Sequence, residues 1–430
     1  MITIFTTFRS ADAAYSLNRV VQQQIKMFLK HNYEVQVVVA QGFKPIEEYE
    51  RVKCIEIPDV PVHNDVYIDK TFDEDVIKLK EALKPILEAS DIMITHDLVY
   101  QSAALKHNTA VRQLINEMGD SCKTKFIHWI HSAGEPAIIA QLRGGGNKYL
   151  EMVKQPFPRS LYITFNQYST PRLANWFGIE QDLVKYVPHP HDFCEYFHPR
   201  ATQIVEKGNL LQKDVVIVYP CRLDRGKQPE YVIKIGHAIK SLGRSVGVVI
   251  MDFHSTAGDK VTYRNELKNL ALTLGMAEDE VMFTSELDGE TPIYEMPNQV
   301  VSNLFEISNT FILPSKTETY SLVAQEAAAK RNLCILNFDF PPMRSIFGDA
   351  PHYVKFSSCI DAMTGMDGGT ETKYTDEAAQ WKSVAQYILY SQEHTRVLAL
   401  FNKIKKERNL DTVFRKHIEP LLFATGQYNY

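Results

Sequence analysis

Two glutamates eight residues apart, Glu318 and Glu326, bracket a turn from loop to helix inside the stretch PSKTETYSLVAQEAAAKR, Pro314 to Arg331. The run before it, NTFIL from Asn309 to Leu313, is apolar and strand-like. Pro314, Ser315 and Thr317 disfavour further strand, whereas the alanines and the spacing of Leu322, Val323, Ala327 and Ala329 predict a helix from Tyr320 on. Glu318 then sits in the loop. Glu326 is expected on the helical face of Leu322 and Val323, where a carboxylate is buried and costly without a partner. The backbone N–H groups near Thr319 to Leu322 lack intrahelical acceptors and suit a phosphate, so an anion site lies between two acids able to accept hydroxyl hydrogen bonds. Taken alone, an ordinary strand, loop and helix with a solvated acid explains the stretch equally well.

A second cluster is cationic. In PCRLDRGKQPE, Arg222, Arg225 and Lys227 fall between an apolar run and a helix starting near Pro229, an arrangement that suits a diphosphate. His96 beside Asp97, and His131 in FIHWIHS, stand at the ends of strand-like runs, where open α/β sheets bind ligands, so they are placed to meet an acceptor. His128 and His96 also fit as structural histidines. No metal site is read from the sequence. VPHPHD, with His189, His191 and Asp192, lacks a fourth spaced ligand, and Asp73-Glu74-Asp75 suits a helix N-terminus. The glycines between Arg143 and Lys148 would let backbone approach an anion, and a surface loop is the simpler reading. Residues 101–172 hold nine Lys or Arg against four Asp or Glu, a local basic excess in a chain of net charge −5.

The elements that would position these groups follow from apolar patterning. At 430 residues, two domains are expected. The first half alternates strand-like runs (Ile2 to Phe5, Glu34 to Val39, Cys54 to Ile57, Ile92 to Thr95, Lys125 to Ile130, Tyr162 to Phe165) with helical ones such as Tyr15 to His31 and Glu74 to Ala89. After a polar boundary at Pro199 to Lys213 the rhythm restarts with Asp214 to Tyr219, Val246 to Met251, Glu280 to Phe283, Asn309 to Leu313 and Leu333 to Phe338. Gly243 and Gly275 read as helix stops, and amphipathic helices close the chain from about Asp376 to Leu422. Six scattered cysteines without a CxxC pair read as reduced and structural. With no apolar run near ~20 residues and no basic leader, a cytoplasmic protein without a membrane span is expected.

These residues resemble a known family, the retaining glycosyltransferases of the GT-B fold, in the family 4 group that uses nucleotide sugars without a metal. The match rests on the E-x7-E element Glu318 to Glu326, on Arg222-Leu223 with Lys227, on VPHPHDFCEYFHP (Val187 to Pro199), and on NLFEISNTFILPS (Asn303 to Ser315). The resemblance implies two Rossmann-like doubly wound parallel-sheet domains facing a cleft: an acceptor domain at 1–198, a donor domain at 199–400, and C-terminal helices at 401–430 crossing back. It implies transfer of a hexose from a nucleoside diphosphate sugar, UDP-sugar first among them, to a hydroxyl acceptor, with no cofactor or metal. Glu326 would bind the donor ribose and Glu318 the sugar hydroxyls. Arg222 and Lys227 would neutralise the departing diphosphate, Thr319, Tyr320, Ser321 and Leu322 would line the donor site, and His131 would stand near the reacting sugar. His96, Asp97, Arg143 and Lys148 are the acceptor-side residues. The sequence departs from the family where Thr319 and Ser321 replace glycines inside E-x7-E, where His189-Pro190 replaces Asn-Gly, and where Tyr15-Ser16 stands near the usual glycine pair. A small molecule, lipid or glycan is the expected acceptor. The alternatives are a hydroxylated base in DNA, a sugar-nucleotide epimerase, and a non-catalytic nucleotide-sugar-binding protein.

Overall fold

The computed structural model describes all residues except 13, 61–69, 100, 102–103, 132–154, 254–259, 288–293, 339–340, 357–359, 362–373 and 424–430. The chain forms two compact α/β units, Met1–Asp192 with Arg408–Tyr430, and Phe193–Glu407. The transitions thus fall at 192/193 and 407/408, where the sequence predicted 198/199 and 400/401.

The first unit is built on a seven-stranded sheet of β1 (Ile2–Phe5), β2 (Val35–Ala40), β3 (Lys53–Ile57), β4 (Ile92–His96), β5 (Lys125–Ile130), β6 (Ser160–Thr164) and β7 (Val184–Tyr186), in the order β3-β2-β1-β4-β5-β6-β7. Every pairing is parallel. Successive residues feed opposite faces: Phe126 and Ile130 join one core with Met93 and Tyr162, while Ile127 and Trp129 join another with Ile94 and Ile163. A sheet buried on both faces accounts for the unbroken apolar runs of its strands. The C-terminal segment belongs to this unit, where Phe414 stacks on His31 at 3.8 Å and meets Phe28 edge-on.

The second unit carries a six-stranded parallel sheet of β8 (Val215–Arg222), β9 (Val246–Phe253), β10 (Val281–Phe283), β11 (Thr310–Leu313), β13 (Leu333–Asn337) and β14 (His352–Val354), in the order β10-β9-β8-β11-β13-β14. A short parallel pair joins β12 (Thr317–Glu318) to β15 (Ile360–Asp361). Gly243 and Gly275 take positive φ just beyond the helices Pro229–Ser241 and Lys260–Thr273, as left-handed helix stops. The polar boundary read at Pro199 to Lys213 is in fact half helix: Pro199–Lys207 buries Ala201, Ile204 and Val205 and shows its polar face outward. In both sheets the strand order reverses beside the first strand, between β1 and β4 and between β8 and β11. Such switch points open a crevice outside the carboxyl ends of the strands.

Candidate functional site

At the β8/β11 switch point of the second unit lies a cavity of about 900 Å³, lined by Arg222, Lys227, Glu318, Thr319, Tyr320, Ser321, Leu322 and Glu326 among others. All eight residues that the resemblance assigns to the donor side therefore border one cavity. Arg222 is the last residue of β8, where a buried strand ends and its side chain is exposed. A turn follows, closed by Asp224 Oδ1 accepting from Gly226 N–H at 3.0 Å, and it carries Lys227 to the head of the helix Pro229–Ser241. The loop after β11 is tied to this turn by Lys316 N–H donating to the Gly226 carbonyl at 2.7 Å. Tyr219 pins both loops from beneath, donating its hydroxyl to the Lys227 carbonyl at 2.7 Å and lying 3.2 Å from Ser315 Oγ. Sequence reasoning missed Tyr219, although a lone hydroxyl-bearing ring closing the aliphatic run DVVIVY is the signal that could have found it.

Lys227 Nζ is ion-paired with Glu318 Oε1, both side chains 15% exposed. Two further sequence expectations change here. The helix runs only from Leu322 to Ala329 and buries Ala324 and Ala327; Leu322 is 66% exposed and Glu326 also faces outward, so the acid borders the cavity instead of the core. Small alanines let that face approach the sheet closely, which ranks them ahead of the bulkier Leu322 and Val323. Arg225 does not join the cavity. Its guanidinium pairs with Glu266 at 2.8 Å and lies over the Tyr263 ring.

The first unit's switch point holds a smaller cavity, about 300 Å³, bordered by Thr6, Asp12, Asn18, His96, Asp97 and His107 among others. His96 is deeply buried between two partners, with Nε2 2.9 Å from Gln24 Oε1 and Nδ1 2.8 Å from His131 Nε2. With Gln24 Oε1 as acceptor, His96 Nδ1 receives the His131 Nε2 proton, so His131 keeps a lone pair on Nδ1. Burial pushes the His131 imidazole down to about 4 and holds His96 well below its usual value, with the neighbouring His131 and His189 adding to the latter. Asp97, at a positive φ of 57°, fixes the loop by accepting from His131 N–H at 3.0 Å. His128 is structural, bonded to Thr95 and Ser160. Arg143 and Lys148 lie outside the described residues.

Of the nine cations counted over 101–172, two described ones, Lys106 and Arg112, point inward, while Lys123 and Arg172 are exposed. Lys106 is buried against Asp75 at 2.8 Å, and Arg112 is buried too, donating to Asn108 and to the carbonyls of Gln155 and Pro156 beneath the Phe157 ring. Asp73, Glu74 and Asp75 occupy the first turn of the helix Phe72–Glu88, where acids complement the dipole. Among the described residues no group of three or more His, Cys, Asp or Glu is arranged to hold a metal ion. Cys54, Cys122, Cys194, Cys221 and Cys334 are free thiols, and Cys359 lies outside the described residues. No helix among the described residues is long and apolar enough to cross a membrane.

Comparison with known proteins adds three findings. No curated protein matches this chain. Solved structures that align along nearly its whole length include a glycosyltransferase from Rickettsia africae (12% identity, 99% of each chain, TM-score 0.34), the sucrose-phosphate synthase of Thermosynechococcus elongatus (15%, 99% of each, 0.37), and Anabaena Alr3699/HepE crystallised with UDP and glucose (12%, 98% of each, 0.34). Residues 201–358, which include Arg222, Lys227, Glu318 and Glu326, match the model of the family described as glycosyl transferases group 1.

Proposed function

We propose that this protein is a retaining, metal-independent glycosyltransferase of the family 4 type that moves a hexose from a nucleoside diphosphate sugar to a hydroxyl acceptor in the cytoplasm. The observation that carries the reading is the meeting of Arg222, Lys227, Glu318 and Glu326 in one switch-point cavity inside the segment with the group 1 sequence pattern. In glycosyl transfer, negative charge grows on the departing diphosphate. Fixed cations and the N–H groups at a helix start stabilise it without a metal. In this reading Arg222 and Lys227 bind the diphosphate, Glu326 takes the ribose hydroxyls and Glu318 the sugar hydroxyls. UDP-sugar is the first donor to try. His131, with a free Nδ1 lone pair, is the proposed sugar-side hydrogen-bonding group. His96 and Asp97 border the proposed acceptor pocket, whose occupant is a small molecule, lipid or glycan.

The test uses Lys227→Ala and Glu326→Ala, assayed for nucleotide-sugar binding by thermal shift and for turnover with a labelled donor. Lys227→Ala should cost ~10²–10³ in kcat, the scale for removing one group that stabilises developing negative charge. Survival of both binding and turnover in the two variants would remove the donor-site assignment. Conversion of the donor to an isomer without any acceptor would make the enzyme an epimerase, and an inverted anomer in the product would remove retention.

A further inference from the structure

Ser321 is the residue of the donor cavity that local structure explains least. It is the N-cap of the helix Leu322–Ala329, yet its backbone is left-handed, with φ 51° and ψ 71°. A serine N-cap ordinarily holds an extended backbone, so that its hydroxyl accepts from an N–H of the first turn. Here the side chain makes no capping bond. The residue is 7% exposed and its Oγ is buried without any hydrogen-bond partner, although it belongs to the cavity wall with Arg222, Lys227 and Glu326. Three costs therefore fall on one residue: a backbone conformation that glycine takes freely, a forfeited cap, and an unsatisfied hydroxyl. Strain of this kind persists where the surroundings enforce it, and it gathers at ligand-binding positions.

We propose that the Ser321 hydroxyl is itself a ligand of the bound nucleotide, donating a hydrogen bond to a diphosphate oxygen beside the open N–H groups of Leu322 and Val323. The proposal rests on the donor-site reading above and adds a side-chain contact to it. The geometry supplies the reason. The left-handed Ser321 gives no side-chain bond to its own helix, and the first intrahelical bonds to its carbonyl come from Ala324 and Gln325, which leaves the two preceding N–H groups for a ligand. A serine hydroxyl turns about χ1 among staggered positions, so a donor with no partner can be recruited by an incoming anion.

Calorimetric titration of the full chain with UDP, ADP, GDP and dTDP, and with the nucleoside matching the tightest of them, tests this in wild type, Ser321→Gly and Ser321→Ala. Both variants should bind the diphosphate about tenfold more weakly, ~1.4 kcal/mol, and the nucleoside unchanged. Without nucleotide, Ser321→Gly should melt ~2–4 °C higher because the left-handed strain is relieved. Equal diphosphate affinity in all three proteins overturns the hydroxyl contact and leaves the donor site standing. An equal loss for the nucleoside also overturns it, since the hydroxyl would then only shape the loop. Failure of wild type to bind any of the four overturns the donor-site reading, and this inference with it.

Discussion

Each unit contains a lysine–carboxylate pair near its sheet, and the two differ in what surrounds them. In the first, Lys106 and Asp75 have side chains only 1% and 7% exposed; Thr71 also donates to the carboxylate and Lys78 lies 3.5 Å away. Burial opposes the charge on Asp75, but the bonds from Lys106 and Thr71 outweigh it and hold its carboxyl below the usual range. In the second, Lys227 and Glu318 form a pair on the wall of a large cavity. A pair whose two side chains are buried among their neighbours reads as architecture. A pair facing a cavity can exchange its partner for a ligand.

The largest expected effect separates these two roles. Lys106→Ala removes the buried cation and leaves Asp75 with Thr71 and the exposed Lys78 alone, which should cost about 3 kcal/mol of stability, the low end for breaking a buried pair, read from urea unfolding followed by far-UV circular dichroism. Nucleotide binding by the folded protein should not change. The Lys227→Ala variant should show the reverse, with turnover lost and the unfolding midpoint nearly kept. A loss below ~1 kcal/mol at Lys106 would mean that water reaches the pair, and the distinction would collapse.

Burial lowers histidines in both units, His352 in the second among them. His96, His107, His128, His131 and His189 all belong to the first unit, and burial lowers each of them. His107 is pushed down to about 4 by burial, with Asp59 opposing and Lys106 and Arg9 assisting. A histidine depressed in the folded state binds fewer protons than in the unfolded chain between its two pKa values. Its contribution is therefore intact above the unfolded value of ~6.5 and is lost as pH falls toward 4. Each such group adds a slope of about 1.4 kcal/mol per pH unit inside that window. Asp75 acts only below it, since its shift lies under the ordinary value of 3.8. His107→Leu should flatten the fall in unfolding free energy, measured by urea titration between pH 6.5 and 5, by about one such slope. An unchanged slope would place the acid sensitivity elsewhere.

The same burial explains what could be read from the sequence. Parallel strands covered on both faces are mostly apolar along their length, so DVVIVY and KFIHWI announce β8 and β5 directly. The three-residue edge strands β7 and β14 bury too little to leave a run, and neither was read. That Arg222, Lys227 and Glu318 would gather at one switch-point cavity was legible because strand ends and helix starts fix where such a cavity lies, whereas Glu326 was assigned through the resemblance alone. Which way the glutamate helix faces was not legible, since close approach of Ala324 and Ala327 decided it over greater hydrophobicity. A charge count along 101–172 is blind to side-chain direction for a related reason: it cannot tell that Lys106 and Arg112 point inward to buried acceptors.

The smallest effect concerns the Lys227–Glu318 pair itself. Glu318 is paired with the cation that the proposed diphosphate would use, so the carboxylate competes with that ligand. Glu318→Gln keeps the side chain's size and its ability to accept a sugar hydroxyl, yet removes the charge that holds Lys227. Because a partly exposed pair is worth about 1 kcal/mol or less, UDP should bind only about threefold more tightly, while turnover of the nucleotide sugar falls through the weakened hydroxyl contact. Titration of UDP against the variant, set beside its kcat, separates the two consequences. If UDP binds more weakly, Glu318 is holding Lys227 in position for the phosphate instead of competing with it, and the cavity pair would then be architectural in the sense that the Lys106–Asp75 pair is.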